Sequence, residues 1–310
     1  MKLKGSLEKF DIRKLSVTAL ALFALMLALR FWQLWALTDP ATGFFTDHSN
    51  LTVPLFYALS IGSVLAIVIL AYLASGTGSG KTERRKDYPL AVASLLFAVP
   101  LALEGVNGLR SLFGYVGSYY TFGDAVKAMG GYIYLVAPVF ALLSSLAMIL
   151  NGVSFFSGSQ LIRKLKILIL CPALWAFFQT ISYFKITVSY VKVSQLMLTI
   201  FADAFLMIFL FEYARFVSGI GIRESIHAFY GTGFAAAFLL LATELPNLFF
   251  ALFDKEKLVV HCEFRLYNLL AALFVIAALL YAARSGKTAE QPTEVPEAAA
   301  ATGTEATAAE

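Results

Sequence analysis

The stretch "VPLFYALSIGSVLAIVILAYLA", residues 53–74, decides the fold. It runs for 22 residues without a charged side chain, and about 20 apolar residues are enough to carry an α-helix across the hydrocarbon core of a bilayer. Hydrophobic residues make up 59% of the whole chain and charged residues 14%, whereas charged residues are about 25% of an ordinary soluble domain. The apolar blocks are too long and too uniform for barrel strands, which alternate polar and apolar side chains. The sequence therefore predicts an all-α polytopic membrane protein.

Similar blocks recur along the chain and predict about eight transmembrane helices. The first block follows the basic N-terminal segment 1–14, and a cleaved signal peptide is the alternative interpretation. The block is longer than a signal peptide's apolar core and carries Arg30, which favours an uncleaved first helix. The predicted bundle covers 15–284, and the tail 285–310, rich in Ala, Thr and Glu, is predicted to be a disordered cytoplasmic segment. The predicted spans are 15–37, 53–74, 89–109, 131–151, 167–187, 193–213, 227–250 and 265–284.

The distribution of Lys and Arg predicts the orientation. If both termini face the cytoplasm, the inner segments hold sixteen of these residues and the outer segments seven. Basic residues accumulate in cytoplasmic loops, so both termini are expected inside the plasma membrane. The net charge of +4 then reflects orientation, and nucleic acid is not an expected partner.

The stretch "SGTGSGKTERRKDY", 75–88, resembles a nucleotide-binding loop only superficially. A P-loop requires a glycine five residues before Gly80, where the chain has Ser75. The stretch also lies between two predicted spans, and about fifteen residues cannot form the strand and helix that cradle phosphate. We therefore predict a basic cytoplasmic turn that binds no nucleotide at Gly80–Lys81.

The first outer loop, "TDPATGFFTDHSN" at 38–50, contains the turn signals Asp-Pro and Thr-Gly. This loop resembles uncharacterised multi-pass membrane proteins of Gram-positive bacteria, and the resemblance implies no activity. Cys171 and Cys262 are expected at different depths, too far apart to form a disulfide. The Cys and His residues do not follow structural zinc spacing, so neither a metal site nor a cofactor is predicted.

Ionisable side chains within spans are the candidate functional residues, because they are costly in a bilayer and rare. The chain has Arg30, Glu104, Asp203 and Glu244 in predicted spans. At 1.5 Å per residue, Arg30, Glu104 and Glu244 lie about 22–25 Å from the inner ends of their spans. They are expected to share a level in the outer third of the membrane, with Asp203 near the midplane.

Two of these carboxylates share a local pattern. The segments 101–113 and 241–253 align without gaps at L-A-x-E-x-x-N-x-x-x-x-L-F, in the third and seventh spans. The match suggests a parallel repeat of two four-helix halves, as many transporters have. Within each segment Glu and Asn are three residues apart and face one side of a helix. Gly105, Gly108 and Pro246 lie beside the carboxylates and predict interrupted helices.

Two interpretations of these polar groups remain open. Arg30 could pair with a glutamate and hold the helices together. The other polar groups would then form interhelical hydrogen bonds. Alternatively the residues bind a small polar ligand or a cation. The candidate ligand-binding residues are Arg30, Glu104, Asn107, Asp203, Glu244 and Asn247.

Three classes of function are compatible with this architecture. The favoured hypothesis is a transporter or binding protein with a polar site in the outer half of the bundle. The alternative is a non-catalytic membrane subunit or anchor that assembles with a partner protein. An intramembrane enzyme is least favoured, since the sequence has no H-E-x-x-H motif and its histidines, His48, His227 and His261, fall at span ends or in loops.

Overall fold

The computed structural model is all-helical over the residues that it describes. These are residues 12–39, 46, 51–73, 86–118, 121–128, 130–159, 165–184, 193–220, 222–253 and 264–288. The α-helices are α1 (Ile12–Trp32), α2 (Thr52–Leu73), α3 (Tyr88–Ser118), α4 (Phe122–Ala128), α5 (Ile133–Ser157), α6 (Cys171–Phe184), α7 (Val193–Ser218), α8 (Ile222–Phe253) and α9 (Leu266–Thr288). A π-helical turn, Gln33–Leu37, extends α1, and a 3₁₀ turn, Leu168–Leu170, precedes α6.

Seven of these helices are long and apolar enough to cross a membrane, and they coincide with seven of the predicted spans. The predicted fifth span, 167–187, corresponds to the shorter apolar helix Leu168–Phe184. Its 17 residues correspond to about 25 Å of α-helix, slightly less than the roughly 30 Å hydrocarbon core. The class predicted from the sequence, a multi-pass α-helical membrane protein, is thus confirmed, and the count of eight spans stays a prediction.

The bundle has two ends that can be identified from contacts. At one end the last turn of α6 meets the start of α9, where Tyr183 and Tyr267 share a hydrogen bond. At the other end Asp87, just before α3, accepts a hydrogen bond from Arg284 of α9 and donates its backbone N–H to Phe155 of α5. We call these the Arg265 end and the Asp87 end. Helices α3 and α6 therefore run toward the Arg265 end, and α5 and α9 run toward the Asp87 end.

Helix α8 lies at the centre of the packing. It contacts α1, α2, α7 and α9, while α3 contacts α5 and α9, and α6 packs between α5 and α7. The most apolar 18-residue segment of α8 is 61% buried inside the bundle, whereas the corresponding segments of α1 and α2 are 22% and 28% buried. Helices α1 and α2 are therefore peripheral, and the polar groups of α3, α6, α7, α8 and α9 can meet inside the bundle.

The predicted helix interruptions do not occur. Helix α3 is continuous through Gly105 and Gly108, and α8 is continuous through Pro246. The glycines instead allow close packing of α3 on α5, because a Cβ at Gly108 would lie 2.3 Å from Pro138 Cγ and one at Gly105 would lie 2.6 Å from Leu142 Cγ. Small residues at close helix contacts are typical of membrane bundles.

Several sequence predictions fall outside the described residues. They include the predicted turn at Gly80–Lys81, most of the loop 38–50, His261 and Cys262, the N-terminal segment 1–11 and the tail beyond Thr288. Helix α9 continues to Thr288, past the predicted bundle boundary at 284. The parallel repeat and the orientation of the termini stay predictions.

Candidate functional site

Polar side chains from five helices gather near the Arg265 end of the bundle. Each helix contributes at least one group that hydrogen-bonds to, or interacts electrostatically with, another member. The set contains three carboxyl groups and one guanidinium. We call it the Arg265 cluster, and its members are Glu104 of α3, Trp175, Gln179 and Tyr183 of α6, Asp203 of α7, Glu244 of α8, and Arg265, Tyr267 and Asn268 at the start of α9.

Arg265 connects α6 to α9 through its side chain. Its Nη1 donates hydrogen bonds to the hydroxyl groups of Tyr183 and Tyr267, the latter at 3.3 Å. Its guanidinium carbon lies 4.7 Å from the centre of the Tyr183 ring, a distance at which a cation is attracted to the ring face. The Gln179 amide donates to the same two hydroxyls, at 3.2 Å and 3.4 Å. The two tyrosines and Gln179 therefore fix the position of the positive charge.

Glu244 is held by the start of α9. Its Oε2 accepts the backbone N–H of Arg265 at 3.0 Å, and its Oε1 accepts the Asn268 side-chain amide at 2.8 Å. The carboxyl is 3% exposed. A hydrogen bond to each oxygen partly offsets the free-energy cost of removing a carboxylate from water. Because both donors belong to the start of α9, Glu244 has a structural role in joining α8 to α9.

Asp203 differs from Glu244 in its surroundings. It is 2% exposed, and among the residues that the structure describes neither of its carboxyl oxygens has a hydrogen-bond partner. It interacts electrostatically with Arg265, which is favourable, and with Glu104 and Glu244, which is unfavourable if they are ionised. Burial of a polar group without a hydrogen bond costs about 1–3 kcal/mol, and more when the group is charged.

Glu104 and Trp175 form a looser pair. The Trp175 indole lies beside the Glu104 carboxyl, but Glu104 Oε2 and Trp175 Nε1 are both buried without a hydrogen bond of proper geometry. A small shift of either side chain would join them. Asn268 Oδ1 is also buried and has no partner among the described residues, although the amide nitrogen of the same side chain donates to Glu244.

The structure brings together only some of the site residues predicted from the sequence. Glu104, Asp203 and Glu244 are members of the Arg265 cluster. Asn247 is buried, at 4% exposure, one turn beyond Glu244 in α8. Asn107 is exposed on α3, so the two Glu-x-x-Asn segments have different surroundings.

The contacts described for Arg30 are with α1 and α2. Its guanidinium carbon is 5.2 Å from the centre of the Phe56 ring, and its Nη1 donates to Gln33 Oε1 at 3.4 Å. Gln33 in turn donates to the backbone carbonyl of Thr52 at 2.8 Å. Arg30 therefore helps to pack α1 against α2, and the cation that faces Glu104 and Glu244 is Arg265.

Sequence reasoning missed Arg265, Tyr183, Tyr267 and Asn268. Arg265 is the first residue of the predicted span 265–284, and its long side chain reaches into the bundle. A usable signal was present: Arg, Tyr and Asn follow closely at 265, 267 and 268 at the start of a span. The tyrosines were overlooked because aromatic residues are common at membrane interfaces.

A second polar network lies deeper in the bundle, toward the Asp87 end. Asn151 of α5 donates to Ser94 of α3 at 2.9 Å and to the Tyr213 hydroxyl of α7 at 2.8 Å, and that hydroxyl is also 3.1 Å from Asn151 Oδ1. All members of this network are buried and hydrogen-bonded. It is therefore interhelical hydrogen bonding of the kind that stabilises membrane bundles.

Within the part of the chain that the structure describes, no group of three or more His, Cys, Asp or Glu side chains could hold a metal ion. Comparison of the chain with protein-family models, with curated proteins and with solved structures finds no match. The apolar helices therefore define the class: the chain is a multi-pass integral membrane protein.

Proposed function

We propose that this protein is a transporter or binding protein of the plasma membrane, and that a small polar solute reaches the Arg265 cluster from the outer face. The observation that carries the proposal is the pair of unpartnered Asp203 oxygens. A buried carboxyl group without hydrogen bonds does not stabilise a helix bundle. A site that exchanges water for a ligand needs free hydrogen-bonding atoms when it is empty.

The location of the cluster supports access from one side. Arg265 stands immediately before α9, and Tyr183 is next to the last residue of α6, so the cluster begins at one end of the bundle and extends inward to Asp203. The excess of Lys and Arg on the opposite side favours an outer position for the Arg265 end. Under this orientation Leu168–Phe184 is the fifth of eight spans.

A membrane subunit is the second candidate, and its partner would bind the peripheral helices α1 and α2. Helices α1 and α2 present many exposed apolar side chains, among them Val17, Leu20, Ile61 and Leu65. Lipid covers such a surface as well as a protein partner does. This candidate gains support if the full-length protein copurifies with a second protein. That second protein should be lost when residues on these faces are changed to larger apolar side chains.

Labelling of single cysteines tests whether the cluster is open to water. Gln179→Cys, on a background with Cys171 and Cys262 changed to Ser, should react with a charged, membrane-impermeant maleimide added outside intact cells. The matched control is Phe177→Cys, two residues away on α6 and 43% exposed toward the apolar surroundings of the bundle. A thiol in lipid is not reached by a charged reagent and ionises poorly.

The proposal requires outside labelling at 179 and none at 177. If neither position is labelled in intact cells, and position 179 is labelled only after denaturation, the cluster is closed to water. The Arg265 cluster would then be a structural lock, and the subunit candidate would take precedence.

A further inference from the structure

The unpartnered atoms of the Arg265 cluster are mainly acceptors. If Trp175 Nε1 pairs with Glu104 Oε2, three buried oxygens remain: both carboxyl oxygens of Asp203 and Oδ1 of Asn268. In the described chain no donor forms a hydrogen bond to these three oxygens. A ligand that completes the site must therefore bring hydrogen-bond donors.

The charged groups of the cluster indicate which charge the ligand carries. One guanidinium interacts electrostatically with all three carboxyl groups. Its Nη1 donates to the hydroxyl groups of Tyr183 and Tyr267, and within the described chain neither oxygen of Asp203 is hydrogen-bonded to it. Glu244 is occupied by α9. Asp203 is thus the carboxyl group available to a cation.

The cluster and its packing neighbours also contain aromatic rings that suit an organic cation. Trp175 packs edge-on against Tyr267 at 5.7 Å and against Phe97 at 6.1 Å between ring centres. Aromatic faces attract cations and also cover apolar carbon. A bare metal ion fits less well, since the carboxyl groups of the described chain do not converge into a metal-binding group.

Resting on the proposed function, we propose that the ligand is a primary ammonium compound with a short apolar group. A primary ammonium has one positive charge and three N–H donors. Asp203 is its counter-ion, and Asn268 Oδ1 is a further acceptor. The site selects for N–H donors as well as for charge, because a cation without them leaves the three oxygens unsatisfied.

Two isomeric cations test this selection directly. n-Butylammonium and tetramethylammonium have the same composition and charge, but only the first carries N–H donors. Binding is measured as the ligand-dependent rise in the thermal unfolding midpoint of the full-length protein in lipid nanodiscs at constant ionic strength. We expect n-butylammonium to bind at least about tenfold more tightly than tetramethylammonium, since hydrogen bonds to a charged group are at stake.

Substitution then locates the site. Asp203→Asn should weaken n-butylammonium binding by at least about tenfold, while Asp124→Asn, at an exposed carboxyl of α4, should leave it unchanged. The comparison of the two isomers needs no variant, so the inference remains testable if Asp203→Asn fails to fold.

Each other outcome overturns the inference. Equal binding of the two isomers would mean that charge or the aromatic rings alone select the ligand, and stabilisation by Na⁺ but by neither isomer would indicate an inorganic cation. If no cation binds while Gln179→Cys is labelled from outside, the ammonium assignment fails and the proposed function survives. If Gln179→Cys is also unlabelled, both fail.

Discussion

Asn268 of α9 donates its side-chain amide to Glu244 of α8 across 2.8 Å, in the interior of an apolar bundle. The backbone N–H of Arg265 binds the other oxygen of the same carboxyl group at 3.0 Å. One buried glutamate is thus fully engaged in attaching the last helix, whereas Asp203 on the neighbouring α7 has no such partners in the described part of the chain. The Arg265 cluster combines a structural carboxyl group with an available one.

Glu244→Gln should destabilise the protein. The glutamine amide can accept from only one of the two donors and would point its own NH₂ group at the other. We expect a loss of about 1–3 kcal/mol in the free energy of unfolding, the cost of an unsatisfied buried donor. The measurement is equilibrium unfolding in detergent, with Glu104→Gln as the control. Glu104 lacks a well-formed hydrogen bond at Oε2, so its loss should be smaller, and equal losses would contradict the division of roles between the two glutamates.

Gly108→Ala should disrupt the contact between α3 and α5. The added methyl group would lie 2.3 Å from Pro138 Cγ, well inside van der Waals contact, and the rigid proline ring cannot move aside. Overpacking of this kind costs about 1–3 kcal/mol, measured as a lower thermal unfolding midpoint.

The same helix provides a matched control. A Cβ at Gly114 meets nothing within 4 Å, and alanine has the higher helix propensity by about 1 kcal/mol. Gly114→Ala should therefore be neutral or stabilising. If both variants lose stability equally, close packing at Gly108 is not the cause.

Tyr213→Phe should weaken the network around Asn151. The change removes the hydroxyl that binds Asn151 and leaves the ring in place. Interhelical hydrogen bonds in membrane proteins contribute about 0.6 kcal/mol on average, so a loss of about 0.5–1.5 kcal/mol in the free energy of unfolding is expected. Tyr230→Phe is the control, because the Tyr230 hydroxyl makes no hydrogen bond within the described chain and its removal should have little effect.

Asp87 should matter more to stability than its ion-pair partner. Asp87 Oδ1 accepts the backbone N–H of Leu90 at 2.9 Å and caps the first turn of α3, while Oδ2 is 3.3 Å from Arg284. Loss of an N-cap costs about 1 kcal/mol, up to 2, and the Arg284 side chain is 59% exposed, so its ion pair contributes less than about 1 kcal/mol.

Salt separates these two contributions. The stability loss of Arg284→Ala should shrink at high ionic strength because salt screens exposed charges, whereas the loss in Asp87→Ala should largely persist. A larger effect for Arg284→Ala than for Asp87→Ala at low salt would show that the ion pair dominates.

The sequence alone was sufficient for the class of the protein and for most of its helices. Block length and hydrophobicity determine which segments leave water, since every backbone group in a bilayer must be hydrogen-bonded within the segment. The same rule identified Glu104, Asp203 and Glu244, because a carboxyl group within an apolar block stands out by composition alone. The prediction of helix interruptions at Gly105, Gly108 and Pro246 was wrong. Residues of these types can either interrupt a helix or allow close packing against a neighbour, and the sequence does not distinguish the two.

The partners of the carboxyl groups depended on the tertiary structure. Arg30 was the counter-charge that the sequence suggested, and only the packing of α9 against α8 places Arg265 beside Glu244 instead. Depth along a span can be counted from residue numbers, but the direction in which each helix face points depends on its neighbours. Asn107 and Asn247 have the same sequence spacing from a glutamate, yet one is exposed and the other is buried, because α3 and α8 pack against different helices.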